Sequence, residues 1–152
     1  LDVVMQRVFD APRELVFKVT TEPEHVSQWW APNGYTIPIC RIDLRKGGLW
    51  HYCMRSPSGE EHWVRCIYGD IVRPEKIAYT ATFADEEANP TDDIPEQHAT
   101  IRLIEQESNK TKFVMTYKFA TAEELKTTLE LGMEEGFALA LENLAQYLEK
   151  VR

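Results

Sequence analysis

Excess positive charge, paired cysteines and long apolar runs are all missing from this chain, and each absence removes a class of function. Lys and Arg number 17 against 25 Asp and Glu, a net charge of −8. Non-specific nucleic-acid binding runs on surplus Lys and Arg, so no nucleic-acid partner is expected. The same balance disfavours anionic lipid, and no apolar run approaches a membrane span, so no membrane partner is expected either. No signal-like segment opens the chain, and a start at Leu1 points to a short missing N-terminal piece. The three cysteines, Cys40, Cys53 and Cys66, form no C-x-x-C pair and read as reduced core thiols of a cytoplasmic protein. No Gly-rich phosphate loop follows a strand, and no Ser-His-Asp pattern has a nucleophile elbow. Repeats, low-complexity segments and linkers are absent too.

What remains is a chain of 152 residues, 43% of them hydrophobic, enough for one core and one domain over residues 1–152. Val3 to Phe9 alternates loosely and reads as a strand. Asp10 looks like an N-cap, with Pro12 in the first turn and Leu15, Val16 and Val19 as an apolar stripe. Thr21 and Glu24 have capping-box spacing around Pro23, which starts a second short helix carrying Val26, Trp29 and Trp30. From Tyr35 the texture turns to period two. Strands are expected over Tyr35–Leu44, Leu49–Arg55, His62–Val72, Lys76–Phe83, Ala99–Glu105 and Lys112–Phe119, with Gly, Pro, Ser or Asn in most of the gaps. Such short spacings imply antiparallel neighbours. The exception is the acidic stretch Ala84 to Gln97, with Asp85, Glu86, Glu87, Asp92, Asp93 and Glu96. It reads as a solvated loop, or else as a lid or a partner patch.

Thr121 and Glu124 make another capping box and open one long C-terminal helix. Its apolar face is Leu125, Leu129, Met133, Phe137, Leu141, Leu144, Leu148 and Val151. Gly132 and Gly136 beside that face lower helix propensity, which suggests a close backbone approach or room left for something. An antiparallel sheet with one apolar face must cover it, and this helix is the only element long enough. The fold class is therefore α+β, a curved sheet gripping a helix.

The adjacent Trp29 and Trp30 pose a separate question. Helix neighbours point about 100° apart, so both rings cannot face one core centre. Trp29 is expected to pack beneath the second helix, and Trp30 to lean toward a cavity mouth with Pro32. The alternative is that both only pin the helix.

The string Phe9-Asp10-Ala11-Pro12, Val16-Phe17, Thr20, Pro23, Trp29-Trp30 and Pro32 resembles the activator-of-heat-shock-protein-ATPase homologues. These are members of the START-like, or SRPBCC, superfamily with the helix-grip fold. The likeness continues through Asp43, Arg45, Gly47-Gly48, Trp50, Met54, Gly59, Pro74-Glu75-Lys76-Ile77 and Gly136. Phe137 stands where the family usually has Trp, and Cys66 near a usual Gly. The resemblance implies about seven antiparallel strands around the C-terminal helix with a cavity between. It implies an apolar or amphipathic small molecule as the usual ligand. Other branches are cyclases or hydratases of polyketide-like compounds, or stimulate a chaperone ATPase.

By alternation, Trp50, Tyr52 and Met54 share a strand face, as do Ile77, Tyr79 and Phe83, and Phe113, Met115, Tyr117 and Phe119. The expected ligand-binding wall is Trp30, Trp50, Tyr52, Met54, Tyr79, Phe83, Met115, Tyr117, Met133, Phe137 and Leu141, with tyrosines orienting polar groups. The alternative is a solid core made of the same side chains. His51, Cys53 and Cys66 could meet at a zinc only in a particular strand register, and alternation turns His51 and Cys53 outward, so no metal is expected. Glu61, His62, Asp70 and His98 are the acid–base candidates, Asp43 and Arg45 read as a structural pair, and no cofactor is called for. The function expected is non-enzymatic binding, with a chaperone partner or a cavity enzyme as alternatives, and a homodimer left open.

Overall fold

The computed structural model describes residues 1–32, 34–91 and 96–152. Its strands are β1 (Asp2–Phe9), β2 (Thr36–Ile42), β3 (Leu49–Arg55), β4 (Glu61–Val72), β5 (Lys76–Ala84), β6 (Gln97–Gln106) and β7 (Lys110–Lys118). They form one antiparallel sheet in the order β1-β7-β6-β5-β4-β3-β2. Hairpins join neighbours from β2 to β7, and β1 returns to pair with the last strand. The edge strand β2 carries Pro38 and shifts register between Thr36 and Ile39, since proline offers no N–H to a ladder.

The helices are α1 (Arg13–Thr21), α2 (Pro23–Val26), α3 (Ala122–Glu130) and α4 (Met133–Val151). Three local expectations need correction. Asp10 does not cap α1: Pro12 occupies the cap position, and the Asp10 carboxylate instead accepts from Arg152 at 2.7 Å. Thr21 and Glu24 form no capping box: Glu22 is the cap of α2, and Thr21 Oγ1 donates back to the Phe17 carbonyl at 2.7 Å, closing α1. The expected single C-terminal helix is two. The chain turns at Leu131 and at Gly132, whose φ of +85° suits glycine and ends any continuous helical ladder. The Thr121 cap does form, its side chain accepting from Glu124 N–H at 3.1 Å.

Helix α4 lies on the inner face of the sheet. Its Phe137 ring meets Phe113 and Tyr117, with centroids 6.4 and 6.2 Å apart. Leu141, Leu144 and Leu148 continue the buried stripe, in one core with Ile77, Ile101, Leu103 and Met115. Polar contacts fix the flanks of α4. Arg7 pairs with Glu142 at 2.6 Å on the β1 side, while Asn143 donates to the Ala31 carbonyl at 3.1 Å. The Tyr147 hydroxyl meets His25 Nδ1 at 2.6 Å. No helix among the described residues is long and apolar enough to cross a membrane.

Candidate functional site

The core is filled at one end and open at the other, and the reason lies in side-chain size. Register places Tyr68, Tyr79, Ala99 and Tyr117 in one row across the inner face, with Ala99 a gap between two large rings. Beyond it come the rows Trp50–Cys66–Ala81 and Tyr52–Val64–Phe83. Opposite, Met133, Gly136, Phe137 and Ala140 stand at i, i+3, i+4 and i+7, one face of α4. Small residues on both sides leave a partly open cleft of about 190 Å³. A Cβ at Gly136 would meet nothing within 4 Å.

The structure brings Trp30, Tyr52, Met54, Tyr79, Phe83, Tyr117, Met133 and Phe137 around this cleft. Pro32, Val64, Ala81, Thr82, Gln97, Gly136 and Ala140 complete the lining. Trp50, Met115 and Leu141 from the expected wall do not line it; all three are buried in the packed core. Met115 lies in a further row between Ile101 and Met5, away from the small residues, and Leu141 sits one turn past Phe137 on α4. Trp50 is screened by Trp30, whose ring centroid is 4.8 Å from its own. Gly136 and Ala140 could have been added from the sequence by extending the Met133 face at helical spacing. Nothing local marked Gln97.

The tryptophan doublet divides its labour. Trp29 is 1% exposed and its Nε1–H donates to the Val19 carbonyl at 2.9 Å. That carbonyl would normally accept from residue 23 in helical order, but Pro23 has no N–H, so the indole supplies the missing donor. Trp30 faces the cleft beside Pro32 and donates Nε1–H to the Tyr52 hydroxyl at 2.9 Å.

Burial pushes the Tyr52 and Tyr79 hydroxyls well above the ordinary tyrosine range. Burial likewise raises Tyr117, to about 12, with the neighbouring Tyr79 hydroxyl offsetting part of the rise. These groups are held protonated, so each keeps a hydrogen that it can donate. Their folded pKa values lie above the unfolded value of about 10. Their contribution to stability is therefore full below about pH 10 and is lost as pH rises toward the folded values. In an alkaline titration, tyrosinate absorbance from these residues is expected to appear together with loss of the far-ultraviolet circular dichroism. Ionisation of all tyrosines at ordinary pH, with the fold intact, would contradict their burial.

The acid–base candidates lie elsewhere. Asp70 pairs with Lys46 at 3.2 Å, which lowers its pKa, and is exposed. Glu61 binds Arg55 at 2.7 Å, His62 is exposed at the end of β4, and His98 meets Thr80 Oγ1 at 3.3 Å. Asp43 and Arg45 pair at 2.7 Å at the surface. His51 and Cys53 sit on the outer face while Cys66 is on the inner one, so those three cannot share an ion. His51 and Cys53 are nevertheless buried: the Trp63 ring stacks on His51 with centroids 4.9 Å apart, and residues 85–91 reach back across this face. His51 Nε2 lies 3.0 Å from the Asp85 carbonyl, and Arg65 donates to the Ala88 carbonyl at 3.1 Å. Asp85 organises that turn, accepting at 2.9 Å from each of the Glu87 and Asn89 N–H groups. Asp92 and Asp93 of the acidic stretch lie outside the described residues.

Known proteins fit this geometry. A protein from Arthrobacter aurescens is 28% identical with a TM-score of 0.89, over 99% of this chain and 87% of its own. One from Mycobacterium smegmatis is 26% identical with a TM-score of 0.87, over 97% and 90%. One from Nitrosomonas europaea is 26% identical with a TM-score of 0.85, over 99% and 95%. Curated proteins gave no significant match. The profile described as "Activator of Hsp90 ATPase homolog 1-like protein" matches residues 10–149. With the curved seven-stranded sheet, the C-terminal helix and a cleft between them, that match places the chain in this family of helix-grip, START-like proteins.

Proposed function

We propose that the protein binds an apolar or amphipathic small molecule in the sheet–helix cleft and performs no chemistry on it. The observation that carries this is the cleft itself: about 190 Å³, walled by aromatic and methionine side chains, with tyrosine hydroxyls set among them. A cavity of about 150 Å³ holds benzene, so this one suits a molecule of one or two rings. Trp30, Tyr52, Met54, Tyr79, Phe83, Tyr117, Met133 and Phe137 are its binding residues. Among the described lining residues no carboxylate, imidazole or amine is present, and the tyrosines are held neutral. That supports binding over turnover. Three free thiols suit a cytoplasmic setting.

Native mass spectrometry of freshly purified protein, compared with the denatured mass, tests this reading. An extra mass that leaves on denaturation is expected, and Phe137→Trp, which crowds the cleft, should reduce it several-fold. A bare mass that stays bare after incubation with fatty-acid and polyphenol mixtures would defeat the reading. It would turn attention to the ATPase activation that the family description names.

A further inference from the structure

The polar groups of the cleft present their hydrogens in assigned directions. The Tyr52 oxygen accepts from Trp30 Nε1–H at 2.9 Å. A phenolic hydrogen stays near the ring plane, with two orientations open to it. Accepting the indole on one side leaves the Tyr52 hydrogen pointing to the other. The Tyr117 hydroxyl lines the same cleft and has no hydrogen-bond partner among the described residues, which leaves its hydrogen free for an acceptor. Tyr52, Tyr79 and Tyr117 all line the cleft, and burial keeps each protonated. No carboxylate among the described lining residues takes up either hydrogen. Gln97 can give or accept, and Thr82 alternates to the outer face. The cleft therefore offers hydrogen-bond donors in search of an acceptor.

The absence of a cation among the described lining residues narrows the acceptor further. A carboxylate entering here would shed its hydration with no opposite charge to compensate, a penalty that a neutral carbonyl avoids. A pure hydrocarbon would leave the two hydroxyls without their water partners. We propose that the cleft selects a one- or two-ring molecule bearing a neutral hydrogen-bond acceptor, a ketone or quinone carbonyl, seated between Tyr52 and Tyr117. This rests on the binding reading above and adds the chemical class of the ligand.

Isothermal titration calorimetry on the full chain at neutral pH tests it with three probes of one skeleton: 2-acetylnaphthalene, 2-ethylnaphthalene and 2-naphthoate. The ketone is expected to bind about tenfold tighter than either, the scale of one directed hydrogen bond. The double variant Tyr52→Phe/Tyr117→Phe, checked for its fold by circular dichroism, should bring the ketone-to-ethyl ratio close to one. Trp30→Phe frees the Tyr52 oxygen to accept, so 2-naphthol should gain on the ketone in that variant. Equal affinity for ketone and ethyl probe in the parent chain would overturn the carbonyl assignment while leaving the binding reading standing. Preference for the naphthoate, or a ratio unmoved in the double variant, would also overturn it. Failure of every probe to bind, with no native mass adduct, would remove both readings together.

Discussion

Gly136→Leu is expected to stabilise the protein and abolish ligand binding in the same step. Position 136 lies within α4, where glycine costs about 1 kcal/mol relative to a good helix former. Its φ is not in the left-handed region, and a Cβ there has nothing within 4 Å, so no strain or clash opposes the change. The melting temperature should rise by about 2–4 °C from the backbone effect alone at this chain length. The leucine side chain also buries itself against Trp30, Tyr117 and Phe137, which adds to the gain. That same side chain occupies the space in which the ligand would sit. Affinity for any molecule retained by the parent chain should fall about 100-fold or more, a loss of about 3 kcal/mol. Thermal melts and titration of one purified pair of proteins read both effects. Unchanged affinity would mean that the ligand sits elsewhere, and a lowered melting temperature would mean that the space beside Gly136 is already filled. A glycine kept where a larger residue would stabilise the helix is the trade of stability for function that binding cavities show.

The second large effect separates the two adjacent tryptophans. Trp29→Ala removes a side chain that is 1% exposed and should cost about 3–5 kcal/mol, a large part of the roughly 5–15 kcal/mol that holds a domain folded. It also orphans the Val19 carbonyl, which Pro23 cannot serve. Trp29→Phe isolates that last contribution, at about 1 kcal/mol. Trp30→Ala should cost clearly less than Trp29→Ala, because Trp30 is only half-buried and one side of it already faces the cleft. Its ligand affinity should nevertheless fall at least tenfold, since the wall loses the ring that packs on Trp50 and Phe137. Urea titrations of the three variants settle the order. Equal losses for Trp29→Ala and Trp30→Ala would make the doublet a single structural pin.

Much of this was legible from residue patterns because alternation and helical spacing are local. Each expected strand was found within a few residues, since period-two texture and turn residues act within one hairpin. The helix starts were read less well. Asp10 and Thr21 have capping chemistry, but Arg152 from the far end of the chain claims the first, and α1 claims the second for its own C-terminus. Which aromatic residues wall the cleft, and which fill the core, depended on the side chains opposite them on other strands. Trp50 and Tyr52 share one strand face, yet Trp50 lies behind Trp30 while Tyr52 reaches the cleft. The fold-back of residues 85–91 onto His51 and Arg65 rests on hydrogen bonds between segments 34 and 23 residues apart, beyond any local pattern.

The sequence by itself determined the α+β class, the antiparallel order of neighbouring strands, the apolar face of the C-terminal segment and the family. The first three follow from periodicities of two and 3.6 and from turn chemistry, which need only a few neighbouring residues, and the family follows from the resemblance of strings such as Trp29-Trp30 and Pro74-Glu75-Lys76-Ile77 to its members. The tertiary structure alone decided the break at Gly132, the register that sets Ala81 and Ala99 among large rings, and the turning of Trp30 onto Tyr52. A cavity is a shortfall of volume between surfaces distant in sequence, so it exists only once those surfaces have met.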